Sequence, residues 1–339
     1  MSRNQIVRTV TLLLFCLFLY LVRGALFPIV LAVILYYVLN PLADRLSDKW
    51  PKGAGLNRDL AIVISFALLI LLVFLVLQYI IPPFVREFRQ LAGNAPQYIS
   101  QLRVQYESLQ RWEAGIFLPP AISDLVGTIL RSIFNYFAAA FQQGMSSLFG
   151  LLSRAIYFVI TPIVTYFLLK DDRNIAKGAV EMLPRGHRDV AFRVIVKIDD
   201  VIRNYVVGQA ILCTAVGLMC GLGTFLLGVK FALILGIVAG IAQLIPNIGP
   251  LIATIPALVV AALSSTWLAG SVLILYLAVN AVTIGVLAPK ILGDKLNLHP
   301  MTVVISIIVF GELMGVWGFF FAAPIVATLK ILYLELRNP

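Results

Sequence analysis

Charge is scarce in this chain. Asp, Glu, Lys and Arg make up 12% of its 339 residues, about half the share of a soluble domain. Histidine is scarcer: His187 and His299 are the only two, far apart, so a two-histidine metal site has little support. The three cysteines, Cys16, Cys213 and Cys220, sit inside apolar blocks. Their spacing is neither a disulfide framework nor a metal site, and they read as small packing residues. No nucleophile-with-base pattern appears, which argues against an enzyme; neither metal nor cofactor is expected. The net charge is +10, yet no basic run carries interleaved aromatics, so nucleic acid is not an expected partner. No small-x-small cleavage site follows the apolar run at 10–22 behind Arg3 and Arg8, so that run reads as an uncleaved first membrane helix.

What fills the chain instead is apolar sequence, 61% of it, in long blocks. Such blocks identify an integral membrane protein whose first partner is the lipid bilayer. Eight apolar segments stand out, at 9–22, 25–39, 60–81, 151–169, 206–227, 231–263, 267–288 and 301–333. The expected fold is all-α and polytopic, with about eight hydrophobic segments, two of them broken or re-entrant, plus amphipathic helices outside the membrane. The layout divides into N-terminal membrane helices at 1–83, an amphipathic extramembrane insert at 84–149 and a membrane helix at 150–170. An amphipathic segment at 171–205 leads into a transport core at 206–339.

Several boundaries carry their own signals. Residues 40–59 read as a polar loop with Pro41, Pro51, Gly53 and Gly55, and Pro82-Pro83 reads as the end of the third segment. In the insert, Tyr98, Leu102, Leu109 and Trp112 make one helical stripe, and Ile122, Leu125, Ile129, Ile133 and Phe137 another. Pro162 is an expected kink in the fourth span. Ala191, Ile195, Ile198, Ile202 and Tyr205 share one helical face, so this helix should lie at the interface and feed the next span.

The two long tracts are the informative ones. Each of 231–263 and 301–333 has 33 residues; a straight helix of that length is about 50 Å long, against a hydrocarbon core of about 30 Å. The first is interrupted by Ile245-Pro246-Asn247-Ile248-Gly249-Pro250, the second by the glycines between Gly311 and Gly318. Prolines without donors and glycines tolerant of unusual dihedrals free backbone groups. Such breaks survive at membrane depth only when buried in protein or lining a cavity. A re-entrant hairpin with its tip inside the membrane fits each tract. Pro246, Pro250, Gly311 and Gly315 are the expected hinge or helix-break residues. Gly217-xxx-Gly221 and Gly236-xxx-Gly240 permit close helix contact.

Lys and Arg set the expected orientation. With the N-terminus inside and each broken tract returning to its starting side, 18 of the 26 basic residues fall inside. Both termini are then cytoplasmic, and the two broken tracts enter from opposite faces, as in inverted-repeat transporters.

Candidate solute-binding or coupling residues follow from polarity at depth. Glu312 is the only acid in 301–333, and a carboxylate there costs several kcal/mol unless it meets a partner, water or a cavity. It could bind a proton, pair with a cation such as sodium, hydrogen-bond a polar solute, or serve only to bond a carbonyl at the break. Gln243, Asn247 and Gly249 line the first tip, although a plain kink between packed helices explains that tip too. Gln209 places an amide in the fifth span, for a small polar solute or as interhelical glue. Asn280 and Thr283 are weaker candidates. Asp294, in the loop at 289–300, is a possible loop site, or a turn former.

Several motifs together resemble the autoinducer-2 exporter (AI-2E) family, the PerM-like permeases. They are Phe167-Leu168-Leu169-Lys170-Asp171, Tyr205-Val206-Val207-Gly208-Gln209, Ile245 through Pro250, Pro289 through Pro300, Gly311 through Gly318, and Ala323-Pro324. They stand in the family's order from about residue 150 onward, while 84–149 is similar to its variable insert. The resemblance implies a multi-pass inner-membrane transporter, a homo-oligomer, and export of a small solute. In the family that solute is associated with autoinducer-2 and hence quorum sensing, and in some members transport is sodium/proton antiport. A passive channel or membrane scaffold is the reading from another class.

Overall fold

The computed structural model describes residues 27–47, 57–94, 97, 101, 128, 132, 139, 155–181, 188–246, 248–292 and 298–337. Segment 9–22, both insert stripes, Asn247 and Asp294 lie outside the described residues. Regular structure among the described residues is helical throughout. Five helices are long and apolar enough to cross a membrane, and three apolar helices are shorter. The protein is an all-α polytopic membrane protein.

Helix α1 spans Phe27–Ser47. It carries Asn40 and Pro41, which the sequence reading gives to a loop; membrane helices tolerate proline where neighbours satisfy the freed backbone. Helix α2 (Arg58–Leu75) runs through a π turn at Val76–Ile80 into α3 (Ile81–Gly93). The span therefore does not end at Pro82-Pro83. Those prolines stand at the start of α3, and the π turn before them shifts the ladder so that Ile81 donates to the Val76 carbonyl. The same device recurs downstream. Helix α8 (Thr266–Val282) passes through a π turn at Thr283–Leu287 into α9 (Ala288–Leu292), which carries Pro289.

Two compact units emerge: Met1–Leu69 with Ser147–Leu183, and Ile70–Ser146 with Pro184–Pro339. In the first unit, α4 (Ala155–Glu181) is stitched to α1 by hydroxyls. Thr161 donates to the Pro28 carbonyl at 3.3 Å and Thr165 to that of Ala32 at 3.2 Å. The α4 backbone leaves helical geometry at Asp171, φ −112° and ψ 19°, just past the apolar run. There Arg58 donates to the Leu169 carbonyl at 3.2 Å, and Lys170 pairs with Asp59 at 3.3 Å. Hydrogen bonding to the Tyr166 hydroxyl, then to Asp59, holds the exposed Lys170 ammonium above the usual lysine range.

The second unit is built on α5, Arg188–Leu226, a continuous helix of 39 residues. Its charged first part and apolar second part join without a break. Helices α6 (Ala232–Ala242) and α7 (Gly249–Ala262) form one hairpin. Helices α10 (Pro300–Met314) and α11 (Val316–Arg337) form a second. The core gathers Val216 and Cys220 of α5, Ile234 and Leu235 of α6, Ala253 and Ala257 of α7, and Val272 and Tyr276 of α8. Phe84 and Phe88 of α3 pack against it.

Candidate functional site

Both expected breaks are present. The arms of the first hairpin have 11 and 14 residues, about 16 and 21 Å of helix, each shorter than the hydrocarbon core. Its arms touch at Gly249, where a Cβ would fall 1.7 Å from the Ala242 carbonyl oxygen. The second hairpin turns at Gly315, whose φ of 62° and ψ of −137° lie where only glycine is comfortable. Three residues on, Gly318 closes this hairpin in the same way: a Cβ there would fall 1.7 Å from the Phe310 carbonyl oxygen.

One turn of α5 meets both hairpins. Tyr205 and Gln209 are four residues apart and share a face, and both are buried. Gln209 Nε2 donates to the backbone carbonyl of Gln243, at the position where α6 ends and its carbonyls lose helical partners. Tyr205 Oη donates to the Phe320 carbonyl at 2.8 Å, and the two rings stack edge to face at 5.6 Å. Between them, Gly208 lets α9 close in, since a Cβ there would lie 2.6 Å from Leu292 Cδ2.

The directions of approach are opposite. The first hairpin leaves the Leu226 end of α5 and returns along it to Gln209. Helix α11 runs antiparallel to α5 from the other end. Phe320 lies at Tyr205, whereas Glu335 pairs with Lys197 and lies 3.9 Å from Arg193. The two tips thus converge on the Tyr205–Gln209 turn from opposite ends of one helix.

The candidates do not all gather there. Gln209, Gln243 and Gly249 come together, and Pro246 and Pro250 flank the same tip. Gln209 makes the interhelical bond of its plainer reading. Gln243 Oε1 is buried with no hydrogen-bond partner among the described residues. Gly311 packs against the Phe319 ring and Gly315 forms the second turn. Glu312 stays apart, exposed on a stripe of α10 with Ile305, Ile308 and Val309, all exposed; it has no ion-pair partner among the described residues. Thr283 bonds back to the Val279 carbonyl at 2.7 Å. Asn280 Oδ1 is likewise buried with no partner among the described residues.

Sequence reasoning missed three contacts. The Tyr205 hydroxyl, the two cations on Glu335, and the Glu87 carboxylate that receives the Ile234 N–H at 3.2 Å all span long sequence separations. Only Tyr205 carried a signal, as the polar-ended residue of an otherwise aliphatic stripe. Tyr205→Phe should cost about 1 kcal/mol of stability, one hydrogen bond with the ring retained. Gln209→Leu should cost about 1–3 kcal/mol, because the Gln243 carbonyl then stays buried and unpaired. Denaturation in detergent, read for both variants, checks that order.

Discontinuous membrane helices whose broken ends meet inside the protein recur in many transporters. The chain belongs to the AI-2E transport family, described as AI-2E family transporters, which it matches over residues 9–338. YueF of Bacillus subtilis (strain 168) is 28% identical over 314 residues, covering 91% of this chain and 84% of YueF. PerM of Escherichia coli (strain K12) is 29% identical over 321 residues, covering 91% and 86%. The AI-2 transport protein TqsA of Escherichia coli (strain K12) is 25% identical over 309 residues, covering 90% and 84%.

Proposed function

We propose that this chain exports a small polar solute across the inner membrane, autoinducer-2 or a close chemical relative, with both termini in the cytoplasm. The observation that carries the reading is the convergence of two broken hairpins on the Tyr205–Gln209 turn. Gln243 Oε1 is a buried hydrogen-bond acceptor with no partner among the described residues, and an unmet acceptor costs about 1–3 kcal/mol. A hydroxyl-bearing solute supplies the missing donor. Gln209 orients the tip by holding the Gln243 carbonyl, and Asn247 and Gly249 complete it. Pro246 and Pro250 keep the tip from closing into helix, while Gly311 and Gly315 let the second tip bend. Glu312 is the proton- or sodium-coupling carboxylate. Its neighbours on α10 are apolar, so a charge there needs a proton, a cation or another chain. A homo-oligomer would cover part of that stripe. The name of TqsA supports the solute, and with it a part in quorum sensing.

The test is efflux of preloaded autoinducer-2 from proteoliposomes, with and without a proton gradient. Saturable, gradient-dependent efflux is the expected result. No efflux from folded protein rejects this solute, and sodium/proton exchange in the same vesicles is then measured. The re-entrant placement of the first tip has its own check. A cysteine replacing Asn247 should label slowly with a bulky impermeant thiol reagent applied outside, and rapid labelling there means two complete spans.

A further inference from the structure

Helices α5 and α6 cross on glycine. A Cβ on Gly236 would lie 2.8 Å from the Gly217 carbonyl oxygen and 2.7 Å from Gly221 Cα; one on Gly240 would lie 2.9 Å from the Cys213 carbonyl oxygen. With no side chains in the crossing, the bulky residues beside it leave a furrow of about 680 Å³. Leu218, Leu222 and Phe225 of α5 form one wall and Leu233, Ile237 and Ile241 of α6 the other. The furrow opens sideways: Leu222 is 59% exposed and Phe225 70%. Among the described residues, Glu87 is the only charged one in its lining.

Depth gives the furrow its meaning. The apolar part of α5 runs from Tyr205 to Leu226, about 32 Å of helix, which matches the hydrocarbon core. Phe225 therefore stands at one water interface. Cys213, which lines the other end of the furrow together with Leu244, lies about 18 Å deeper, near the midplane and the first hairpin tip. The furrow spans one leaflet. Its charged residue is at the headgroup end, where Glu87 Oε2 accepts the Ile234 N–H at 3.2 Å in the first turn of α6. Lys230, exposed on the turn between α5 and α6, stands at that same end.

We infer that this furrow is a lipid site holding one acyl chain of an aminophospholipid, with the lipid ammonium on Glu87. The walls take the chain. The carboxylate attracts the ammonium and repels an anionic headgroup, and Lys230 is placed for the phosphate of the same zwitterion. A soluble polar solute has no use for a lateral opening into hydrocarbon. The deep end of the furrow, at Cys213, lies one turn from Gln209, but its headgroup end is about 18 Å away, and the headgroup assignment stands whether or not the proposed solute is right.

The test uses the full chain in detergent and native mass spectrometry. Dioleoyl phosphatidylethanolamine and dioleoyl phosphatidylglycerol, with matched acyl chains, are added separately. Wild type should retain the ethanolamine lipid about tenfold better, the scale of one charge-assisted bond. Glu87→Gln keeps an oxygen for the Ile234 N–H but loses the charge, and should abolish that preference while still binding both lipids. Leu222→Trp fills the furrow from an exposed position and should weaken both lipids alike. Equal retention by wild type, or a preference that survives in Glu87→Gln, overturns the headgroup assignment. Unchanged binding in Leu222→Trp overturns the site. Disulfide crosslinking between two copies through Leu222→Cys would make the furrow a subunit interface, and would also overturn the proposal.

Discussion

Glu312→Gln should abolish gradient-driven transport while leaving the protein inserted, folded and able to bind solute. The substitution is nearly isosteric and keeps a hydrogen-bonding head, so packing changes little. The residue is exposed on α10, so no buried partner is orphaned. What disappears is the capacity to take up and release a proton or hold a cation. Efflux with and without an imposed gradient separates the outcomes. Loss of the gradient-dependent part alone is expected. Full coupled flux in the variant would remove Glu312 from the mechanism and leave it as a surface acid of the second hairpin.

The second large effect is structural. Gly249→Ala and Gly318→Ala each place a methyl group 1.7 Å from a backbone oxygen, of Ala242 and Phe310 respectively. No rotamer change relieves a clash between a Cβ and a main-chain atom, so the arms must separate. A cost of about 3 kcal/mol or more is expected for each, seen as loss of folded material in detergent. Gly315→Ala is the contrast. Nothing lies within 4 Å of its added Cβ, and only the unusual backbone is strained, for about 1–3 kcal/mol. If Gly318→Ala proves as mild as Gly315→Ala, the second hairpin is looser than its geometry indicates.

These two breaks were readable in advance because proline and glycine act locally. Pro246, Gly249 and Pro250 bound the first tip and Gly315 ends α10, whereas Gly311 and Gly318 lie inside α10 and α11 and let the arms close. Length did the rest, since neither 33-residue tract fits a bilayer as one straight helix. The glycine pairs of α5 and α6 were visible as motifs, and the structure sets one pair on the other.

Other features depend on neighbours. Pro82-Pro83 looks like a terminator, and nothing in the local sequence announces the π turn at Val76–Ile80 that lets the helix continue. Gln209 and Gln243 were each legible as polar residues at depth. Their pairing was not, since it needs α5 and α6 to be antiparallel with matched lengths. Glu312 was singled out by its isolation in an apolar tract. Its outward position on α10 depends on how the second hairpin rotates against α5, and apolar periodicity is silent there because every face of that hairpin is apolar.

The unbroken backbone of α5 has a mechanical corollary. A stiff rod gripped at one turn by two levers that reach it from opposite directions behaves as a seesaw with its fulcrum at Tyr205–Gln209. In the export proposed above, a tilt of this rod would move both levers at once. Gly208 already stands in this turn without breaking the helix; a proline introduced between Tyr205 and Gln209 would break the rod and uncouple the arms without touching either.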